Sequence, residues 1–189
     1  MEFESLCWQR EITEKNLSID TAIISESSIR AFRAHSVYNT SLSQLVYAIT
    51  DMTRFSQWAD GIIEARLLEK IAPTHQICYF ISRVPFPLKA RDAVVQQEIE
   101  WCTDPLSVKI QVSAVSDWLP SNPRYIRMQQ IYAEWHLVPI GDISVALTYQ
   151  AHVDPEGYIP EWIINSLLCG GPKNTLRNLH QLNFDQVCA

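Results

Sequence analysis

The stretch GYIPEWIINSLLCGGPKNTL, residues 157–176, contains the longest amphipathic helix predicted in the chain. Apolar residues recur at helical spacing before and after its centre, at Ile163, Ile164, Leu167, Leu168, Leu176, Leu179 and Leu182. The centre itself is Gly170, Gly171 and Pro172, which together cost a helix about 5 kcal/mol relative to alanine. The pattern predicts a helix of about 24 residues from Pro160, roughly 36 Å long. We expect it to bend at Pro172, with the two glycines giving the joint freedom to move.

Alternating apolar and polar residues predict antiparallel strands before this helix. Every odd-numbered residue of 143–153 is apolar, as are the even-numbered residues of 106–114. Residues 91–101 alternate in the same way, with Gln97 as a polar exception on the apolar face. Such alternation is typical of strands with one buried face and one solvated face. Further strands are predicted over 7–13, 19–25, 28–38, 62–71 and 75–83, and short helices over 41–50 and through 52–60.

The order of these elements predicts an α+β architecture. A single antiparallel sheet with one apolar face must have that face covered, and only the C-terminal helix is long enough to cover it. A strongly curved sheet wrapped around one helix leaves a space between them. The sequence alone permits either a packed core or a ligand cavity in that space.

Length and charge narrow the class of protein. The chain has 189 residues, which suits a single domain over residues 1–189. Its net charge is −6 and it contains no basic run, so we expect no nucleic-acid partner. The negative charge also disfavours anionic membranes on average, while transient membrane contact through a local patch stays open. No stretch approaches the roughly 18 apolar residues of a membrane span.

The N-terminus and the cysteines indicate a cytoplasmic protein. The opening residues MEFESLCWQREITEK are acidic where a signal peptide is basic, and they lack an apolar segment. The five cysteines are odd in number and widely scattered, a pattern typical of reduced thiols.

Three segments, taken in order, resemble the START (StAR-related lipid transfer) domain family, from about residue 6 to residue 183. DMTRFSQWADGIIEARLLE resembles the family's Asp-then-Trp segment through Asp51 and Trp58. VPFPLKARDAV is similar to its Pro-rich hairpin that ends in Arg91 and Asp92. The third segment, EWHLVPIGDISVALTYQAHVDPEGYIPEWIIN with the later Pro172 and NTLRNL, matches the family at Trp135, Pro139, Tyr149, Asp154, Pro155, Gly157, Pro160, Trp162 and Asn165.

This resemblance is to the bacterial, single-domain members of the family, within the helix-grip (Bet v 1-like) superfamily. It implies a helix-grip fold with about nine antiparallel strands, two short helices after the third strand, and a C-terminal helix that closes an apolar tunnel. It also implies binding of one lipid-like molecule. The extra N-terminal helix of longer animal members is absent from the sequence. The motifs that set ligand identity in animal sterol and phospholipid binders are not matched, so no ligand is carried over.

Candidate ligand-binding residues come from the predicted inward faces and from the C-terminal helix. They are Gln97, Arg91, Val95, Trp101, Tyr79, Leu147, Tyr149, Trp135, Ile164 and Leu168. Gln97 is either a polar residue bonded near an edge or a hydrogen-bond donor that orients a ligand. A buried Arg91 needs a partner, and a salt bridge that pins the Pro85–Pro87 hairpin is the favoured role. A packed core explains any single aromatic residue of the set as well as a cavity wall does.

The sequence is compatible with two functions. One is a non-enzymatic protein that binds a lipid or other hydrophobic molecule for transfer, storage or sensing. The alternative is an enzyme on the same fold, such as a polyketide cyclase or aromatase, which needs several convergent polar groups inside the cavity. The histidines show no metal-ligand spacing and the chain contains no phosphate loop or nucleophile elbow, so we predict no metal, no cofactor and no catalytic residue.

Overall fold

All ten strands belong to one sheet, which is antiparallel apart from one short strand. The computed structural model describes residues 3–25, 27–115, 117–141 and 143–184. The sheet order is β1-β2-β3-β10-β9-β7-β6-β5-β4, and the two-residue β8 pairs parallel with β6. The strands are β1 Gln9–Glu14, β2 Leu17–Ala22, β3 Ala31–Tyr38, β4 Ile62–Ala72, β5 His75–Ser82, β6 Arg91–Thr103, β7 Leu106–Ala114, β8 Ile126–Arg127, β9 Gln130–Ile140 and β10 Ser144–Asp154.

The longest ladder in the sheet joins β9 and β10. It is paired without a break from Ser144 opposite Ile140 to Asp154 opposite Gln130. β10 also pairs with β3, so it lies inside the sheet, where a strict alternation of inward and outward residues is required. The predicted fold class is therefore confirmed: a curved antiparallel sheet, two short helices after the third strand, and a helix at the C-terminal end.

The two short helices are α1 Leu42–Thr50 and α2 Phe55–Trp58. α1 begins with a capping box, in which the Ser41 side chain accepts from the Gln44 backbone and the Gln44 side chain accepts from Ser41. α2 directs Trp58 into the core, where it is almost fully buried. Both helices therefore cover part of the inner face of the sheet.

The C-terminal helix α3 extends from Glu161 to Leu179, which is shorter than the predicted length of about 24 residues. The helix continues through Gly170, Gly171 and Pro172. A methyl group built on either glycine meets no neighbouring atom within 4 Å. Steric crowding therefore does not explain why these positions are glycines.

Part of the outer face of the sheet is also buried. Ile77, Tyr79, Ile81 and Val94 form an outer cluster against which Leu119 and Tyr125 pack. Asp92, which is fully buried, accepts hydrogen bonds from Arg127 Nη2 at 2.8 Å and from the Tyr79 hydroxyl at 3.2 Å. Arg127 also donates to the Leu119 carbonyl, so it fastens the β7–β8 connection to the sheet.

Candidate ligand-binding cavity

A cavity of about 310 Å³ lies between the inner face of the sheet and the helices. This volume is at the lower limit of the range of about 300–1,000 Å³ that is typical of small-molecule sites. Its wall is mainly apolar and is contributed by β3, β4, β5, β6, β7, β9, β10 and α1, α2 and α3. Of the predicted residues, those on this wall are Gln97, Arg91, Val95, Tyr149, Trp135, Ile164 and Leu168.

Small side chains on neighbouring strands make the floor of the cavity. Gln97, Val112, Ala133, Ala151 and Phe32 stand directly opposite one another in register across β6, β7, β9, β10 and β3. All five line the cavity. Because the middle of this row carries only Val and Ala side chains, the sheet and the helices enclose free space there instead of meeting.

An aromatic wall lies beside this floor. Trp135 and Tyr149 are a directly opposed cross-strand pair, and their rings stack with centroids 3.6 Å apart and planes 4° apart. Phe32 meets Tyr149 edge to face at 4.9 Å. The described structure gives the Tyr149 hydroxyl no hydrogen-bond partner. Burial raises the pKa of this hydroxyl, so it stays uncharged at neutral pH and is able to donate.

Gln97 is the polar side chain of the cavity floor and is only 5% exposed. Its Oε1 accepts a hydrogen bond from Gln76 Nε2, and the same Gln76 nitrogen donates to the Thr50 carbonyl at 2.9 Å. A carbonyl only accepts, so Gln76 must present its nitrogen there, and Gln97 must therefore present its oxygen to Gln76. The described residues give the Gln97 nitrogen no partner, and Gln97 is one of the residues that line the cavity.

Arg91 is almost fully buried, but it does not form the predicted salt bridge with a carboxylate. Its guanidinium donates to three backbone carbonyls, those of Lys89, Pro155 (2.9 Å) and Glu156 (3.0 Å). The predicted salt bridge is therefore wrong, while the predicted attachment of the Pro-rich hairpin is present through Lys89. Burial lowers the pKa of the guanidinium, which nonetheless remains charged. All three of its nitrogens are engaged with the protein.

Three predicted cavity residues lie elsewhere, and each prediction needs correction. Tyr79 faces the outer side of β5, because Cys78 and Phe80 face the cavity and neighbouring residues of a strand alternate. Trp101 is 48% exposed, because β6 extends past the cavity. Leu147 is buried in the solid part of the core that also contains Leu137, Leu176 and Leu179.

Sequence reasoning missed several wall residues, which are Met52, Phe55, Cys78, Met128 and Ile131. Period-two alternation in ICYFIS (residues 77–82) offers two choices of inward face, since both faces are apolar. Met52 and Phe55 come from the irregular stretch between α1 and α2, where no periodicity indicates a direction.

The two halves of α3 are attached to the protein in different ways. Residues after Pro172 make polar contacts: Tyr38 donates to the Leu176 carbonyl, Asn178 to the Trp58 carbonyl, and Arg177 pairs with Glu14 at 2.7 Å. Of the side chains that the structure describes between 162 and 171, none makes a hydrogen bond or ion pair with the rest of the chain. Ile164, Leu167 and Leu168 in that half line the cavity. The side chains that the structure describes in this segment therefore contact the cavity through apolar groups.

Metal ligation and disulfides find no support in the described residues. Cys7, Cys78, Cys102 and Cys169 are free thiols, and Cys188 lies outside the residues that the structure describes. The described part of the chain contains no group of three or more His, Cys, Asp or Glu side chains placed to hold a metal ion. None of its helices is both long and apolar enough to cross a membrane.

Comparison with known proteins places residues 2–181 in register with the START domain family model. A STAR-related lipid transfer protein from Xanthomonas axonopodis superposes with a TM-score of 0.84 at 27% identity, over 96% of this chain and 99% of that one. Phosphatidylcholine transfer protein of Bos taurus is 22% identical over 91% of this chain and 82% of its own length. The Zhui aromatase/cyclase from Streptomyces shares the fold more distantly, with a TM-score of 0.52 at 8% identity over 84% of this chain and 93% of that one.

Proposed function

The chain belongs to the START domain family, and we propose that it binds one hydrophobic, lipid-like molecule in the cavity between the sheet and α3, for transfer, storage or sensing in the cytoplasm. The observation that carries the proposal is the mainly apolar cavity whose floor bears an unpaired amide donor, Gln97. An apolar site with a few placed polar groups is what a hydrophobic ligand with a polar end requires. The predicted wall residues Arg91, Val95, Trp135, Tyr149, Ile164 and Leu168 keep this role as proposals.

Titration with the neutral dye N-phenyl-1-naphthylamine, whose emission rises in apolar sites, tests this function. We expect saturable binding of one dye per chain and displacement of the dye by a total lipid extract. Emission that does not saturate, or that the extract does not lower, would remove the proposal.

A cyclase-like enzyme is the weaker alternative, because the Cys78 thiol and the Tyr149 hydroxyl of the inner wall are held uncharged. Burial raises the pKa of the Cys78 thiol to about 12, and it raises that of the Tyr149 hydroxyl as well. Neither group is a base near neutral pH, and each nitrogen of Arg91 already donates to a backbone carbonyl. These two groups therefore do not supply the acid and base pair that an aldol-type closure needs.

We propose that the first half of α3 opens as a gate. Its contacts with the cavity are apolar, and Pro160 at its start provides no side-chain cap, whereas the second half is anchored. Pro172 cannot donate to the Leu168 carbonyl, so the backbone bond that would stiffen the joint is missing. Movement about Gly170 and Gly171 would lift Ile164, Leu167 and Leu168 from the cavity.

Replacing Gly170 and Gly171 with Ala tests the gate. Both positions are helical with open space for a methyl group, so each substitution should raise the free energy of unfolding by up to about 1 kcal/mol. The rate of dye release in stopped-flow measurements should fall, while the equilibrium affinity changes much less. A more stable variant with the wild-type release rate would show that the joint is only a bend.

Transient membrane contact is proposed at three exposed aromatic side chains beside the cavity. Phe86, Tyr158 and Trp162 are 95%, 82% and 69% exposed. These aromatic residues are close in sequence to a small apolar cluster formed by Val84, Ile159 and Ile163. Val84 and Ile159 also line the cavity. Aromatic side chains, Trp and Tyr in particular, favour the interface between lipid and water.

Changing Phe86, Tyr158 and Trp162 together to Ser should reduce co-sedimentation with phosphatidylcholine vesicles several-fold, because their apolar area no longer enters the interface. Ile143→Ser is the matched control: Ile143 is 73% exposed but lies at the opposite end of β10, about 35 Å away at 3.4 Å per residue. Equal losses in the control and the triple variant would contradict a localised contact.

A further inference from the structure

The inner end of the cavity contains hydrogen-bond donors without acceptors. Gln97 and Tyr149 both belong to the wall, and neither the Gln97 Nε2 nor the Tyr149 hydroxyl has a partner within residues 3–25, 27–115, 117–141 and 143–184. The orientation of the Gln97 amide is fixed from behind by the Gln76 nitrogen and the Thr50 carbonyl. A donor left without a protein partner on an apolar wall favours a bound molecule that supplies an oxygen acceptor.

Two cations of the wall, Arg91 and Arg83, lie at the other end of the cavity. Arg91 begins β6, and Gln97 follows six residues later, about 20 Å away along the strand. Arg83 follows Ser82, which pairs with Arg91. Arg30, the third of these arginines, comes two residues before Phe32 and is separated from Gln97 by the width of the floor, since β3 is four strands from β6. Along β6 itself, the side chains between Arg91 and Gln97 on the cavity face are Ala93 and Val95. The part of the wall that the structure describes around Gln97 therefore offers neutral donors and no counter-ion.

We infer that the preferred ligand carries an uncharged hydrogen-bond acceptor, such as a ketone, ester or amide carbonyl, that binds the Gln97 amide nitrogen, and that carboxylates are selected against at this position. A carbonyl oxygen pays a small desolvation cost and receives the donors that the protein leaves unpaired. A carboxylate would lose its hydration without gaining an opposite charge, which costs far more. This inference rests on the proposed function and adds the chemical class of the ligand to it.

Three naphthalenes of similar size separate these possibilities: 2-acetylnaphthalene, 2-ethylnaphthalene and 2-naphthoate. Their affinities at pH 7.5 follow from displacement of N-phenyl-1-naphthylamine. We expect the ketone to bind wild-type protein about tenfold more tightly than the ethyl compound, since one buried hydrogen bond is gained. 2-Naphthoate should bind more weakly than the ketone. In nitrogen–proton correlation spectra, the ketone should shift the side-chain amide signal of Gln97.

Gln97→Leu should abolish the advantage of the ketone over the ethyl compound and leave the affinity of the ethyl compound within about twofold. Gln96→Leu is the matched control, because Gln96 faces the other side of β6 and donates to Ser113 at 3.0 Å. This control should keep the tenfold preference.

A ketone that binds no better than the ethyl compound, or a preference that survives in Gln97→Leu, overturns the inference. The inference is also overturned if 2-naphthoate binds as tightly as the ketone, or if it shifts the side-chain amide signal of Gln97 as far as the ketone does. If the dye still binds one to a chain in any of these cases, the proposed function stands without the inference. If no dye or naphthalene binds saturably, the proposed function itself fails. The comparison of the three compounds on wild-type protein needs no variant, so a poorly folded Gln97→Leu does not remove the test.

Discussion

Ala133→Phe is expected to weaken the binding of N-phenyl-1-naphthylamine about a hundredfold, because an aromatic ring at this position would occupy the middle of the cavity floor. Ala133 stands between Val112 and Ala151 in the row of small side chains, and all three line the cavity of about 310 Å³. A ligand that shares this space with the ring must push side chains from their preferred conformations. Overpacking of this kind costs about 1–3 kcal/mol, and a hundredfold loss corresponds to about 2.7 kcal/mol.

The fold should tolerate this substitution, because the ring enters existing space. We expect the free energy of unfolding to stay within about 1 kcal/mol of wild type. Ala146→Phe is the matched control, since Ala146 belongs to the outward-facing residues of β10 and is absent from the cavity wall. A folded Ala133→Phe that binds the dye with near wild-type affinity would show that the dye is not in the cavity.

The second large effect concerns stability and the outer face of the sheet. Arg127→Met should lower the free energy of unfolding by about 3–5 kcal/mol, because it leaves the buried Asp92 carboxylate without its cation. The Tyr79 hydroxyl remains as a hydrogen-bond partner but supplies no charge. The bond from Arg127 to the Leu119 carbonyl is lost as well, which releases the β7–β8 connection. Urea unfolding followed by circular dichroism measures the change.

Two further variants separate the buried charge from other effects of the substitution. Replacing both partners, as Asp92→Leu with Arg127→Met, should recover most of the loss, since a buried ion pair is often exchanged for apolar residues at little net cost. Arg124→Met changes an exposed arginine of the same connection and should cost less than about 0.5 kcal/mol. A loss below about 1 kcal/mol in Arg127→Met, or a double variant no better than the single one, would contradict this assignment of the pair.

The sheet could be predicted from the sequence because most of its strands bury one face. In β10 the inward set Val145, Leu147, Tyr149, Ala151 and Val153 alternates with mostly polar residues, and this periodicity survives in the structure. The same pattern predicts Tyr149 on the inner face, where its ring stacks on Trp135. Register between strands depends on distant residues, so the row from Gln97 to Phe32 could not be assembled from sequence periodicity.

The errors occur where distant parts of the chain decide the environment. Tyr79 was placed inward because nothing near β5 in the sequence shows that Leu119 and Tyr125 cover its outer face. Arg91 was given a carboxylate partner, whereas its carbonyl partners at Pro155 and Glu156 belong to a turn more than 60 residues away. Trp101 is an odd-numbered residue of β6, like the residues of that strand that face the cavity. Alternation along a strand does not show where the cavity ends, and Trp101 lies beyond it.

Native mass spectrometry of wild-type protein and of Ala133→Phe, after incubation with a total lipid extract, tests most directly whether the cavity binds a lipid-like molecule. The wild-type chain should carry the additional mass of one lipophilic molecule, which solvent extraction releases and identifies. The variant should be found without that mass, and Ala146→Phe should carry it. A wild-type chain with no bound molecule, or equal occupancy in wild type and Ala133→Phe, would contradict a ligand-binding role for this cavity.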